Sequence, residues 1–186
     1  AWQLGSTDVR IFYYLGSIYE FLNLYTLAIN EYKKFLNNHP EDLEVNLKIA
    51  NLYYKTGKTE DALNAYFYIL KKDKTNIIAL TNIGFIYLSR NELDNAIEYF
   101  LKVKNICKKN NLTEPNNINF YLGNIYFLNK DFDNAKLYFE QEKLLNPQNI
   151  ENNLLLAKTY YELKDFKNAV ELIKQLQKDI PKNKEL

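Results

Sequence analysis

The sequence predicts an all-α fold of antiparallel helix pairs stacked in tandem. Three observations carry that prediction. Small residues recur at Gly16, Ala50, Gly84, Gly123 and Ala157, spaced by 34, 34, 39 and 34 residues. A tyrosine follows each of them three residues later (Tyr19, Tyr53, Tyr87, Tyr126, Tyr160). An alanine follows twelve residues later (Ala28, Ala62, Ala96, Ala135, Ala169), and four further on stands Tyr32, Tyr66, Phe100, Phe139 or Ile173. Finally, five glycines and four prolines in 186 residues are too few for a turn-rich β architecture. A fixed period of this length marks an array of repeated helical units.

The elements follow in order. Asp8 stands before the first helix, where a side-chain oxygen accepts an orphan backbone N–H. Phe12, Leu15 and Tyr19 then fall at helical spacing around Gly16. Asn23-Leu24 turns the chain into a second helix carrying Ala28 and Tyr32, which Pro40 ends. The second pair opens at Asp42 and turns at Thr56-Gly57-Lys58. The third opens at Asn76, runs through Leu80, Ile83 and Tyr87, and turns at Arg90-Asn91-Glu92. Residues 111–115 (Asn-Leu-Thr-Glu-Pro) lengthen the next link, which predicts a longer second helix or an added loop. The fourth pair turns at Asn129-Lys130-Asp131 and ends at Pro147. The fifth opens at Asn149, turns at Lys164-Asp165 and ends near Pro181. Asn183, 34 residues after Asn149, reads as the cap of another helix that Lys184-Glu185-Leu186 begins. The small residue lets two helix backbones approach, the alanine fills the facing position, and the aromatic one turn on covers the contact. Each pair leaves an apolar face open, so neighbours stack into one core.

On these residues the chain resembles the tetratricopeptide repeat family. YLGSIYEFLNLYTLAINEYKKFLNNHPED and YLGNIYFLNKDFDNAKLYFEQEKLLNPQN carry the family's Leu-Gly-x-x-Tyr, Ala, aromatic and Pro positions almost in full. The resemblance divides the chain into a lead-in at 1–8 and a solenoid at 9–186. The repeats are 9–42, 43–76, 77–110, 116–149 and 150–183, with the insert 111–115. It implies a right-handed α-solenoid superhelix whose first helices line a concave groove. Lys74 and Lys108 stand where the family has proline. Glu142 occupies a normally apolar position, and local repacking by Leu144 and Leu145 is expected to compensate.

Composition removes several classes of function. A formal net charge of +1 lacks the basic excess of a nucleic-acid binder. No apolar run of about 18 residues offers a membrane span, and the first ten residues carry neither the basic start nor the apolar stretch of a signal peptide. Cys107 is the one cysteine and His39 the one histidine, so no disulfide framework or multi-histidine metal site is expected. His39, beside Pro40, reads as a surface residue, and Cys107 as structural. The scattered glycines make no phosphate loop. Glu60-Asp61, Asp131 and Asp133 sit at helix starts, where they complement helix dipoles, and the short lysine runs 71–74 and 102–109 sit at helix ends. No cofactor and no catalytic set is expected, so the chain reads as a non-enzyme. Absence of methionine, the initiator included, reads as a processed form or an excised piece.

The positive signal is the inner face that the resemblance implies. It would present Tyr13, Ser17 and Phe21 from the first repeat, Asn51 and Tyr54 from the second, and Phe85 from the third. Phe120, Asn124 and Phe127 would follow from the fourth, and Lys158 and Tyr161 from the fifth. The aromatics would hold side chains of a protein or peptide partner, and Asn51 and Asn124 its backbone. The family's two-carboxylate clamp is echoed only by Asn51 and Asn82, because Leu47, Asn117 and Tyr121 stand at its other positions. Two rival readings accompany this scaffold role. One is self-association as a homo-oligomer through Val170, Leu172, Ile173, Leu176 and Ile180 of an uncapped last repeat. The other is a regulatory or targeting region of a larger enzyme or assembly.

Overall fold

The computed structural model describes residues 8–179. Among them run ten helices: α1 (Arg10–Phe21), α2 (Tyr25–Leu36), α3 (Leu43–Lys55), α4 (Thr59–Lys72), α5 (Ile77–Ser89), α6 (Leu93–Asn110), α7 (Ile118–Leu128), α8 (Phe132–Leu145), α9 (Ile150–Glu162) and α10 (Phe166–Asp179). No strand occurs among the described residues. The chain separates into two compact units, one up to Ile106 and one from Cys107.

Three-residue turns join the helices of every pair, and all five close the same way. Their middle residues, Asn23, Gly57, Asn91, Lys130 and Lys164, have φ between 59° and 72°. The next residue donates its N–H to the carbonyl of the repeat tyrosine: Leu24 to Tyr19 at 2.8 Å, Lys58 to Tyr53, Glu92 to Tyr87 and Asp131 to Tyr126 at 2.9 Å, and Asp165 to Tyr160 at 2.8 Å. This closure satisfies carbonyls that a helix end leaves orphaned, and it needs one left-handed residue. Glycine fills that position once and asparagine twice. Lys130 and Lys164 hold it against a penalty of roughly 1–2 kcal/mol for an L side chain.

The predicted caps are present in three first helices. Asp42 accepts from Val45 N, Asn76 from Ala79 N and Asn149 from Asn152 N, each at 3.0 Å. Asp8 differs from the expectation. Val9 takes the cap position without a side-chain bond, and the Asp8 carboxylate accepts from the backbone and guanidinium of Arg10. In the fourth repeat Pro115 stands where the cap would fall; the chain enters α7 through Asn117 at φ 66°, and α7 has only 11 residues. The insert does both things expected of it. α6 extends to 18 residues, and a loop follows it. Pro181 and the Asn183 cap lie outside the described residues.

Packing turns on the small residues. A Cβ added to Gly16 would lie 2.6 Å from the Tyr32 ring, one on Gly84 2.6 Å from Phe100, and one on Gly123 2.6 Å from Phe139. All three rings are fully buried, as is Tyr66. In the first unit two apolar clusters build on these contacts, one around Tyr32, Val45 and Leu52, the other around Tyr66, Ala79 and Ile83. In the second unit Phe139, Leu156, Ala157 and Leu172 form the corresponding core.

Two expectations fail. Leu172 and Leu176 are buried rather than exposed at the end of the last repeat, because with Ala169 they share the face of α10 that turns inward. Among the described members of that set only Val170 and Ile173 leave apolar surface, and Ile180 lies outside the described residues. Likewise Leu144 and Leu145 are 84% and 70% exposed, so neither repacks around Glu142. Glu142 itself is buried where the other repeats place Ile69, Val103 and Leu176. Cys107 is buried, its Sγ 3.7 Å from the Thr113 carbonyl, and His39 is exposed against the Phe35 ring.

Two substitutions test these contacts. Gly84→Ala gains about 1 kcal/mol of helix propensity but forces the Phe100 ring to move, at about 1–3 kcal/mol. It lowers the denaturant midpoint; Ala50 beneath Tyr66 shows that repacking, rather than unfolding, follows. Lys130→Gly relieves the left-handed strain and raises stability by about 0.5–1 kcal/mol in the same urea titration.

Candidate functional site

In the first three repeats the residue after the small residue faces the buried ring of its partner helix, and its identity follows that ring. In the first repeat Ser17 Oγ lies 3.2 Å from the Tyr32 hydroxyl, which also donates to Glu20 at 2.8 Å. In the second the Tyr66 hydroxyl donates to Asn51 Oδ1 at 2.7 Å, and Asn82 Nδ2 donates to the same oxygen at 3.1 Å. In the third Phe85 packs edge-on against Phe100, ring centres 5.2 Å apart. Polar therefore faces hydroxyl, and apolar faces apolar. The fourth repeat breaks the rule. Asn124 occupies the Asn51 position, but the ring opposite is Phe139, which has no hydroxyl. Among the described residues the Asn124 side chain forms no hydrogen bond.

Within the first unit, packing takes up much of the expected inner face. Tyr13 is half-buried against Tyr32 and Phe35, and its hydroxyl donates to Glu44 at 3.1 Å. Asn51 Oδ1 is taken by its two donors, and the Asn51–Asn82 pair is bonded to itself. Phe85 rests on Phe100. Phe21 is 85% exposed, at the last position of α1, and Tyr54 is exposed at the end of α3.

Within the second unit α7 packs against both α8 and α9, which brings the remaining residues together. Phe120 and Phe127 are half-buried against the core, with Phe127 edge-on to Phe132 at 5.4 Å. Lys158 Nζ lies 5.1 Å from the Phe127 ring centre. A cation held over a ring in this way is attracted by its quadrupole and keeps its charge toward solvent. Tyr161 is 62% exposed and stands edge-on to Phe166. Asn124, Phe127, Lys158 and Tyr161 thus combine one open amide, one cation and two aromatic rings.

Beside them, Leu154, Tyr161, Val170, Ile173 and Lys174 are among the residues lining an open cavity of about 510 Å³ between α9 and α10. Sequence reasoning named Tyr161, Val170 and Ile173 of that wall. It missed Lys174, and the signal was available: Lys174 stands where the second repeat has Phe67. Of the basic runs, Lys72 pairs with Glu41 at 2.6 Å and Lys102 with Glu98 at 2.5 Å. Among the described residues no group of three or more metal-ligating side chains converges, and no helix is long and apolar enough to cross a membrane.

Comparison with known proteins agrees with this geometry. The family described as "Tetratricopeptide repeat" matches residues 25–77, and the one described as "Anaphase-promoting complex, cyclosome, subunit 3" matches residues 89–176. Tetratricopeptide repeat protein 14 of Mus musculus is 29% identical over 146 residues, and the tetratricopeptide repeat protein 21 homolog of Caenorhabditis briggsae 28% identical over 99. The chain is a tetratricopeptide repeat protein. The matches cover 75% and 53% of this chain but only 16% and 8% of those relatives, so it spans a small part of their length. Among solved structures, MamA superimposes with a TM-score of 0.74 at 20% identity, covering 96% of this chain and 97% of MamA. That likeness concerns the all-α repeat fold.

The buried tyrosines of this repeat protein define its alkaline limit. Burial first, and for Tyr32 and Tyr160 hydrogen bonds to Glu20 and Glu140 as well, pushes the phenols of Tyr32, Tyr66 and Tyr160 far above the ordinary 10.0. The folded state therefore holds these protons more tightly than the unfolded chain does. Stability is full below pH 10 and falls as pH rises beyond it, because only the unfolded chain gains by ionising. A phenolate absorbance titration will show a set of tyrosines that ionises only as the helical signal is lost. Smooth ionisation of all of them with the helices intact would contradict this burial.

Proposed function

We propose that the chain is a non-catalytic scaffold that binds a segment of a partner protein across the exposed faces of its first helices. In the second unit that surface is Phe120, Asn124, Phe127, Lys158 and Tyr161 on α7 and α9. Tetratricopeptide repeats supply a protein-interaction fold; the particular surface is inferred from the side chains. The observation that carries the reading is Asn124. Its amide lies where Asn51 meets a tyrosine hydroxyl, yet it stands opposite a phenylalanine and bonds to none of the described residues. An amide offers one donor group and one acceptor, the pair that a peptide unit of a bound segment requires. The flanking rings of Phe127 and Tyr161 supply apolar area, and Lys158 attracts an acidic group or chain end. In the first unit the same face offers Phe21 and Tyr54 as exposed anchors, with Tyr13, Asn51 and Phe85 engaged mainly in packing.

Capture of partners on the immobilised chain, followed by calorimetric titration of the segment recovered, tests the proposal. Asn124→Ala and Phe127→Ala are each expected to weaken binding by about ten- to a hundredfold, in line with about 1–3 kcal/mol for a buried polar or aromatic contact. Lys158→Ala is expected to weaken it less and to flatten its salt dependence. Undiminished binding by both Asn124→Ala and Phe127→Ala would remove α7 from the interface.

A further inference from the structure

The geometry points to head-to-tail association of two copies of this chain, with α1 of one copy seated between α9 and α10 of the other. The argument begins with what the repeats do to one another. In α3 and α5, three, seven and ten residues after the cap position stands a triad that plugs into the preceding helix pair. In α3 it is Val45, Ile49 and Leu52, and in α5 Ala79, Ile83 and Ile86. All six are buried, with at most 5% of their surface exposed. The α5 triad packs with Ala62, Leu63 and Tyr66 of α4 in one apolar cluster.

Both halves of that contact recur unpaired at the two ends of the described chain. Counted from Asp8, the triad of α1 is Ile11, Leu15 and Ile18, with Ile11 47% and Ile18 53% exposed. The positions of Ala62, Leu63 and Tyr66 recur in α10 as Ala169, Val170 and Ile173. These three line the open 510 Å³ cavity, with Val170 51% and Ile173 37% exposed. A plug and a socket of one pattern, which close on each other between α2 and α3 and between α4 and α5, are complementary to each other. The contact would continue an interface that the fold already uses.

A second correspondence lies beside the first. The residue two before the small residue bridges to the preceding first helix. Lys48 Nζ lies 3.7 Å from Glu20, and Asn82 Nδ2 lies 3.1 Å from Asn51 Oδ1. In α1 that residue is Tyr14, and the positions it would meet are Lys158 and Tyr161. Tyr14 and Tyr161 are each 62% exposed. The pairing is an aromatic contact beside a cation, in place of the ion pair and amide pair used inside the chain. The competing occupant is the chain's own segment 180–186. Such a contact joins two different surfaces, so it propagates unless the copies close a ring.

Sedimentation velocity on the 186-residue chain, from about 1 to 500 μM, tests this. The expected result is an average mass that rises steadily with concentration. Ile18→Glu and Ile173→Glu each bring a charge to the contact and shift the curve about tenfold or more to higher concentration. Both sites are exposed, so circular dichroism should show unchanged folding. Mixing the two variants restores association, because each supplies the surface that the other lacks, and growth stops at a pair. Ile18 is not part of the α7–α9 surface, so segment binding should survive Ile18→Glu, whereas Ile173 lines the same cavity as Lys158 and Tyr161. A chain that stays monomeric throughout, that associates only after residues 180–186 are deleted, or whose two variants fail to complement, overturns the proposal.

Discussion

A ring seated on a glycine sets most of what this chain can be. Tyr32 on Gly16, Phe100 on Gly84 and Phe139 on Gly123 leave no room for a single additional carbon. Each ring crosses from the second helix of a pair to the first and fixes their closest approach. Once that distance is fixed, the alanine on the second helix and the tyrosine carbonyl that ends the first have determined places. So does the left-handed residue between them. Five turns with different sequences therefore share one hydrogen-bond pattern. The strain at Lys130 and Lys164 is tolerated because the packing on either side determines the turn.

The same contact decides which side chains remain for function. A hydroxyl on the buried ring demands a polar neighbour, met by Ser17 in the first repeat and Asn51 in the second. A phenylalanine demands none. Where the ring loses its hydroxyl but the neighbour stays polar, as at Phe139 and Asn124, an amide is released to solvent. The faces of the first helices are consequently uneven. Tyr13 and Phe85 contribute chiefly to packing, and the open chemistry gathers on α7 and α9. The apolar ends follow the same logic, since a repeat that plugs its neighbour leaves its own outermost face uncovered.

The sequence made the helix pairs and their turns legible because the small residue, the alanine and the aromatic are short-range consequences of one contact repeated five times. The caps at Asp42, Asn76 and Asn149 were readable for the same reason. Asp8 was not. Its neighbour Arg10 offers a guanidinium that competes for the carboxylate, an interaction that periodicity does not record. The candidate site was only half legible. The family resemblance implied the face, but not which members of it a neighbouring ring or hydroxyl would engage. The fate of Asn51 was fixed by Tyr66 and Asn82, 15 and 31 residues away. Leu172 and Leu176 were misjudged because apolar residues at a chain end were grouped by sequence rather than by helix face. Glu142 buried among apolar positions has no explanation in the packing around it.

The seating of ring on glycine can be measured directly by a double-mutant cycle between Gly123→Ala and Phe139→Leu, read as denaturant stability. If the ring fills the space that the missing Cβ leaves, shortening it relieves the clash that alanine creates. The pair should then cost less than the sum of the two single changes, with a coupling of about 0.5–3 kcal/mol. Strict additivity would mean that the ring and the glycine do not constrain one another, and the packing from which the free amide of Asn124 is deduced would have to be abandoned.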